Sequence, residues 1–197
     1  MHSSEFFKKF NSMFKPENKD FYDKACAAYN KSSDFTDIIT EALKELLKIE
    51  GYELSTEYYR VDVSGWNRPN NYNKGEPIKI SDCDYKLNNN LWDFDIAIEH
   101  ENDDRDWTYE ITKLLTVNCP LRVVIGYVPV TYRNKEERYL SEVFNQIKRL
   151  KVFSRNNFAE EEFMIILGNS KCKGEYFNYK AYRLLSEGFT PLIVEKE

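Results

Sequence analysis

The chain has 197 residues, 42% hydrophobic and 15% aromatic, with 28 Lys and Arg against 33 Asp and Glu for a net charge of −5. That length points to one domain whose core needs no disulfide or metal staple, and the aromatic content excludes intrinsic disorder. The negative balance does not advertise a general nucleic-acid binder, so a polyanion would have to meet a local basic patch.

The Phe6, Phe7, Phe10, Met13 and Phe14 stripe has helical spacing. Pro16 restarts the chain into a second helix through Phe21, Tyr22, Ala25 and Tyr29. A third begins near Ser33 as N-cap, carries Ile38, Ile39, Ala42, Leu43, Leu46 and Leu47 inward, and closes at Gly51. The period then changes to two: Tyr59, Val61 and Val63 alternate with Tyr58, Arg60 and Asp62, a strand with one buried face. Residues 67–91 are rich in Asn, with a short strand around Ile78–Ile80, and a connection that long is usually functional or mobile.

Leu91 to Glu101 alternates most regularly, with Trp92, Phe94, Ile96, Ile98 and His100 on one face and Asp93, Asp95, Ala97, Glu99 and Glu101 on the other. Trp107, Ile111, Leu114, Leu115 and Asn118 trace a helix that Pro120 ends. Leu121–Val128 reads as a central strand covered on both sides. Tyr139 to Leu150 gives another helix, Phe163–Leu167 a second buried strand, and Glu175–Leu185 a last, half-exposed one. The order predicts an α/β domain with a mixed central sheet flanked by helices, residues 1–32 being an N-terminal helical extension.

Four cysteines, Cys26, Cys83, Cys119 and Cys172, lack the spacing of a zinc or thioredoxin-like pair, and two histidines exclude a His-rich metal site. The first residues lack a secretory signal's apolar core, and no apolar run reaches membrane-spanning length. A soluble, reduced, cytoplasmic protein without a membrane partner is expected.

Glu99 and Glu101 share one strand face, about 7 Å apart by strand rise, and Asp62 stands beside them if the two strands pair. Clustered carboxylates raise one another's pKa unless a cation is present, and Mg²⁺ takes such oxygen ligands together with waters and substrate phosphate. Against this, acids on the watered face of an antiparallel strand need no function, as Asp93 and Asp95 illustrate. His100 is in phase with Ile96 and Ile98 and reads as a core histidine.

The sequence of a helix, a strand ending in Asp, a strand ending in Glu-x-Glu, a helix and a buried strand resembles the PD-(D/E)XK nuclease family over about residues 34–130. The resemblance implies a restriction endonuclease-like fold and Mg²⁺- or Mn²⁺-dependent hydrolysis of DNA. It makes Asp62 and Glu99 metal ligands and Glu101 a metal ligand or water-orienting group. Val61 replaces the motif's Pro, and Glu101 holds the place of its Lys. In some members that Lys has moved to the following helix, where Lys113 stands, although a helical wheel points it nearly opposite Trp107, Ile111 and Leu114. Glu110 flanks the stripe and approaches more easily. Many members place a further Glu on the helix before the sheet, a role Glu45 would fill.

Lys148, Arg149, Lys151 and Arg155, or Lys8 and Lys9 among the N-terminal Phe residues, are the candidate phosphate contacts. The missing motif Lys supports an alternative: a nuclease fold without catalysis that binds nucleic acid or a protein. A third reading has the Phe-rich first helix docking a partner or a second copy of the chain as a homodimer.

Overall fold

The computed structural model describes residues 1–28, 31–58, 60–66, 78–79, 86–87, 94–103, 106–132, 135–169 and 177–193. The Phe stripe folds as α1 (Ser3–Met13), followed by α2 (Lys19–Ala28) and α3 (Ser32–Ile49). The last starts two residues earlier than its Ser33 cap suggests, with Lys31 at the N-cap and no side-chain cap bond. Its far end is as expected: Gly51 takes φ +80°, and the N–H groups of Gly51 and Tyr52 return to the carbonyls of Lys48 and Leu47.

The stretch around Tyr59 is not one strand. β1 (Glu53–Tyr58) and β2 (Val61–Trp66) are antiparallel, with Tyr58 opposite Val61 and Arg60 at φ +65° where the chain reverses. Period-two alternation runs on through a tight hairpin, so the pattern alone hides the turn. β3 (Ile78–Lys79) and β4 (Lys86–Leu87) form a separate two-stranded ladder, and the rest of the long Asn-rich connection lies outside the described residues.

β5 (Ile96–His100), α4 (Trp107–Leu114), β6 (Leu121–Val128), α5 (Glu136–Ile147), β7 (Glu162–Asn169), β8 (Lys180–Leu185) and β9 (Gly188–Pro191) complete the main sheet, in the order β1-β2-β5-β6-β7-β8-β9. β5, β6 and β7 are parallel, while both flanks are antiparallel. The sheet is therefore mixed, as its sequence order implied. β9, which has no counterpart in the expected order, returns from β8 through a two-residue turn at Ser186 and Glu187. α4 and α5, the crossovers between parallel strands, lie on one face, as right-handed crossovers running in one direction across a sheet must.

That face buries Trp107, Ile111, Leu114, Leu140 and Val143 on Ala97, Val124 and Ile165. The other face buries Val63, Ile96, Ile98, Val123 and Ile125 under α1, α2 and α3. Phe6, Phe10 and Phe14 are 0% exposed, and the rings of Phe10 and Phe14 pack on Tyr179 at 5.1 and 5.8 Å. The first helix thus spends its apolar face on its own core and leaves none for docking, contrary to the third reading above. Phe94 also departs from its expected face: it packs on Trp66 at 5.4 Å, on the α4 side, and not with Ile96 and Ile98.

Gly126 sets the seat of α4. A Cβ there would lie 2.5 Å from Trp107 Cγ, so only glycine lets the first turn of α4 rest directly on β6. Trp107, 0% exposed, donates its indole N–H to the Tyr139 hydroxyl at 3.1 Å, which links α4 to α5.

Candidate functional site

β5 carries its alternation into a place where both faces are covered. Ile96, Ile98 and His100 point toward α3, whereas Ala97 and Glu99 point toward α4. Glu99 is only 1% exposed, so the solvated-face explanation of this acid does not apply. The pairing Val63–Ile98, Ser64–Ala97, continued by one residue, sets Asp62 opposite Glu99 on that face. Asp62 is fixed there by the His100 backbone N–H, which donates to its Oδ2 at 2.8 Å.

Lys113 enters from α4. Its Nζ lies 2.8 Å from Glu99 Oε2 and 2.5 Å from Glu110 Oε2, and it donates to the Arg60 carbonyl at 2.8 Å. Lys113 reaches Glu99 despite its direction on the helical wheel, for a geometric reason. A wheel ranks directions about one helix, but the sheet extends sideways beyond the strands under the apolar stripe. A long side chain set well off that stripe can still reach back to the neighbouring strand, because its four-carbon stem carries the ammonium past Glu110 to Glu99. The left-handed backbone of Arg60 is part of the turn that supplies the carbonyl.

Three carboxylates share this place with one ammonium. Burial, then the charge of Asp62, pushes the Glu99 carboxyl up to about 9, against the pull of Lys113. Burial likewise raises Asp62, opposed by the His100 N–H. For Lys113 burial alone would lower the ammonium, but Glu110 and Glu99 outweigh it and hold it above the usual lysine range. Glu99 Oε1 is buried with no hydrogen-bond partner.

His100 is a core residue, as its phase indicated. Burial lowers its imidazole to about 3, so the ring is neutral, and Nε2 sits 3.1 Å from the Tyr127 hydroxyl.

Glu101 is not brought into the cluster by any described contact. Past the end of β5 its carboxylate accepts the Asp103 N–H at 2.8 Å, an interaction within its own turn. Glu45 is exposed and remote. Its helix packs on the opposite face of the sheet, and α3 begins where Asn102 donates to the Ser32 carbonyl at 3.0 Å. At 1.5 Å per residue Glu45 is then about 20 Å along the axis from that point, near the end of the sheet where Leu47 lies over Gly65. Among the described residues no three His, Cys, Asp or Glu side chains are grouped closely enough to hold a metal by themselves.

Glu110 announces itself in the sequence only through its i, i+3 spacing to Lys113, and the Arg60 carbonyl leaves no sequence signal. Lys148, Arg149, Lys151 and Arg155 are exposed beyond the end of α5. That segment is tied through Asn156 to the Leu115 carbonyl, just past α4. Lys9 is engaged by Glu5 and Glu50 at 2.7 and 2.6 Å.

No protein-family model, curated protein or solved structure matches this chain. The fold and site together define an α/β protein with a mixed seven-stranded sheet and a partly buried cluster of Asp62 and Glu99, on the adjacent strands β2 and β5, with Lys113 of α4. No helix among the described residues is long and apolar enough to cross a membrane.

Proposed function

We propose that the chain is a divalent-cation-dependent phosphodiester hydrolase of PD-(D/E)XK type acting on DNA. The observation that carries this reading is the Lys113 ammonium 2.8 Å from Glu99, with Asp62 opposite Glu99 on the adjacent strand. Three further features support it. The main sheet takes up a helix (α3), the Asp62 strand (β2), the Glu99 strand (β5), a helix (α4) and a buried strand (β6) in the order of the resemblance, with β1 added before the Asp62 strand and the β3–β4 ladder lying between β2 and β5. Asp62 and Glu99 share one face of two paired strands, although Asp62 stands at the start of β2 where the resemblance has a strand ending in Asp, and Glu99 stands near the end of β5. The Lys missing from the strand is supplied by the following helix.

The donor set fits Mg²⁺ or Mn²⁺. Glu99 Oε1 is a buried oxygen without a partner, and the cluster carries more potential negative charge than its one ammonium balances. Asp62 and Glu99 would hold the ion, with waters and a substrate phosphate completing its shell, since Mg²⁺ commonly binds through one or two carboxylates. When bound, it supplies an acidified water and neutralises charge developing on the phosphate.

The chain's own residues do the rest. The His100 N–H holds Asp62 in one orientation, α4 keeps bulk water off Glu99, and Lys113 presents a proton-rich cation to an incoming phosphate. The test is nicking of plasmid DNA with Mg²⁺ or Mn²⁺ by wild type and Glu99→Ala. Loss of at least about a hundredfold is expected in the variant; equal cleavage by both proteins removes Glu99 from the chemistry.

A second reading, a binding module on the same scaffold without catalysis, is favoured by Glu101 turning into its own loop and by the three acceptors already around Lys113. Calorimetry with Mn²⁺ separates the two: binding heat supports the hydrolase, and its absence supports the module.

A further inference from the structure

We propose that the Lys113 ammonium occupies a cation site built from Glu99, Glu110 and the Arg60 carbonyl, and that a divalent ion entering the cluster displaces it. The inference rests on the hydrolase reading above, and it assigns Glu110 and the Arg60 carbonyl to the ion's surroundings, which that reading does not. Three oxygens from three different elements surround the ammonium at 2.5 to 2.8 Å. They come from β5, from α4 and from the turn between β1 and β2, so the site is assembled by the fold and not by one acidic run.

The second observation is independent of those contacts. Glu99 is 1% exposed and its Oε1 has no partner, so a buried donor oxygen remains beyond what the ammonium satisfies. A single positive charge leaves this carboxylate set under-compensated; a divalent ion would compensate it better. The two cations repel strongly at such separation in a partly buried site, and a shared carboxylate oxygen cannot serve both equally. One of them has to yield. The Lys113 side chain is 32% exposed and Glu110 21%, so the ammonium has a path to water that the Glu99 oxygens do not. A flexible four-carbon stem can make that move without displacing α4.

The proposal turns Lys113 into an internal placeholder: it prevents the repulsion of unfilled carboxylates until metal arrives, and it sets metal affinity by competition. Removing it therefore strengthens metal binding, whereas a lysine that sits beside a bound ion without contest leaves affinity unchanged, and one that helps to hold the metal-binding geometry weakens binding when lost.

The test uses Mn²⁺ alone. Its dissociation constant is measured by calorimetry for wild type and Lys113→Met, with circular dichroism to establish that the variant is folded. In parallel, acetylation of Lys113 in the wild-type protein is quantified by mass spectrometry with and without Mg²⁺. Binding at least about tenfold tighter in Lys113→Met, together with faster Lys113 acetylation when Mg²⁺ is present, is the expected result. Equal or weaker binding by the variant overturns the placeholder while leaving the hydrolase reading intact. Binding by neither protein overturns both. If Lys113→Met does not fold, the acetylation of wild type decides: unchanged or slower modification in Mg²⁺ overturns the proposal.

Discussion

Replacing Glu99 by Gln probes the electrostatics of the cluster without altering its shape. In the unfolded chain Glu99 releases its proton near 4.5, but in the folded protein burial and the Asp62 charge hold it until about 9. Between those values the folded state binds the proton that the unfolded state has lost. Stability therefore falls as pH rises through that window, and it is flat below 4.5 and above 9. The slope approaches about 1.4 kcal/mol per pH unit for one proton, so between pH 5 and pH 8 wild type should lose about 4 kcal/mol relative to a neutral side chain, an upper bound because Lys113 takes up part of the charge. Glu99→Gln has no such proton to lose. Urea denaturation of both proteins at pH 5, 6.5 and 8, without divalent ions, reads the difference directly. The variant should gain on wild type as pH rises, by several kcal/mol in all. A constant difference, or a variant that falls behind at pH 8, refutes the claim that Glu99 is an under-compensated buried acid.

Other substitutions test the scaffold and the membership of the site. Gly126→Ala drives a methyl group into the Cβ and Cγ of Trp107 and should destabilise by about 1–3 kcal/mol, read as a lowered midpoint in denaturant unfolding. Arg122, 1% exposed, pairs with Glu161 at 2.7 Å and also bonds Asn156 and the Val117 carbonyl. Arg122→Ala should cost about 3–5 kcal/mol by leaving those acceptors unpaired, read as a lowered urea midpoint. Glu45→Ala and Glu101→Ala should retain metal-dependent nicking, since one is remote and the other is engaged by Asp103. Loss comparable to that of Glu99→Ala at either position would return that residue to the site.

What was legible in the sequence depended on whether the signal was local. The third helix was set by a long apolar stripe and by Gly51, and both ends of that inference are physical: a helix face that must be buried and a backbone that must turn left-handed. The central strands were legible because burial on two sides leaves an unbroken apolar run. The β1–β2 hairpin was not, because a strand's alternation is indifferent to a reversal that preserves its phase, and Arg60 is not a residue that announces positive φ. Within the site, Asp62 and Glu99 were legible as a pair because adjacent antiparallel strands bring fixed registers together. A helical wheel does not place Lys113, because its partner Glu99 lies across a helix–sheet interface whose lateral extent no wheel contains. Glu45 and Glu101 were drawn in by analogy and by alternation; α3 lies on the other face, and the turn after β5 takes Glu101 away.

The most direct measurement is an anomalous difference map from crystals soaked in Mn²⁺. The expected result is a peak within coordination distance, about 2.0–2.5 Å, of carboxylate oxygens from both Asp62 and Glu99, with Lys113 Nζ withdrawn from Glu99. Well-ordered soaked crystals with no peak there, and with Lys113 still seated on Glu99, would contradict the metal-dependent hydrolase.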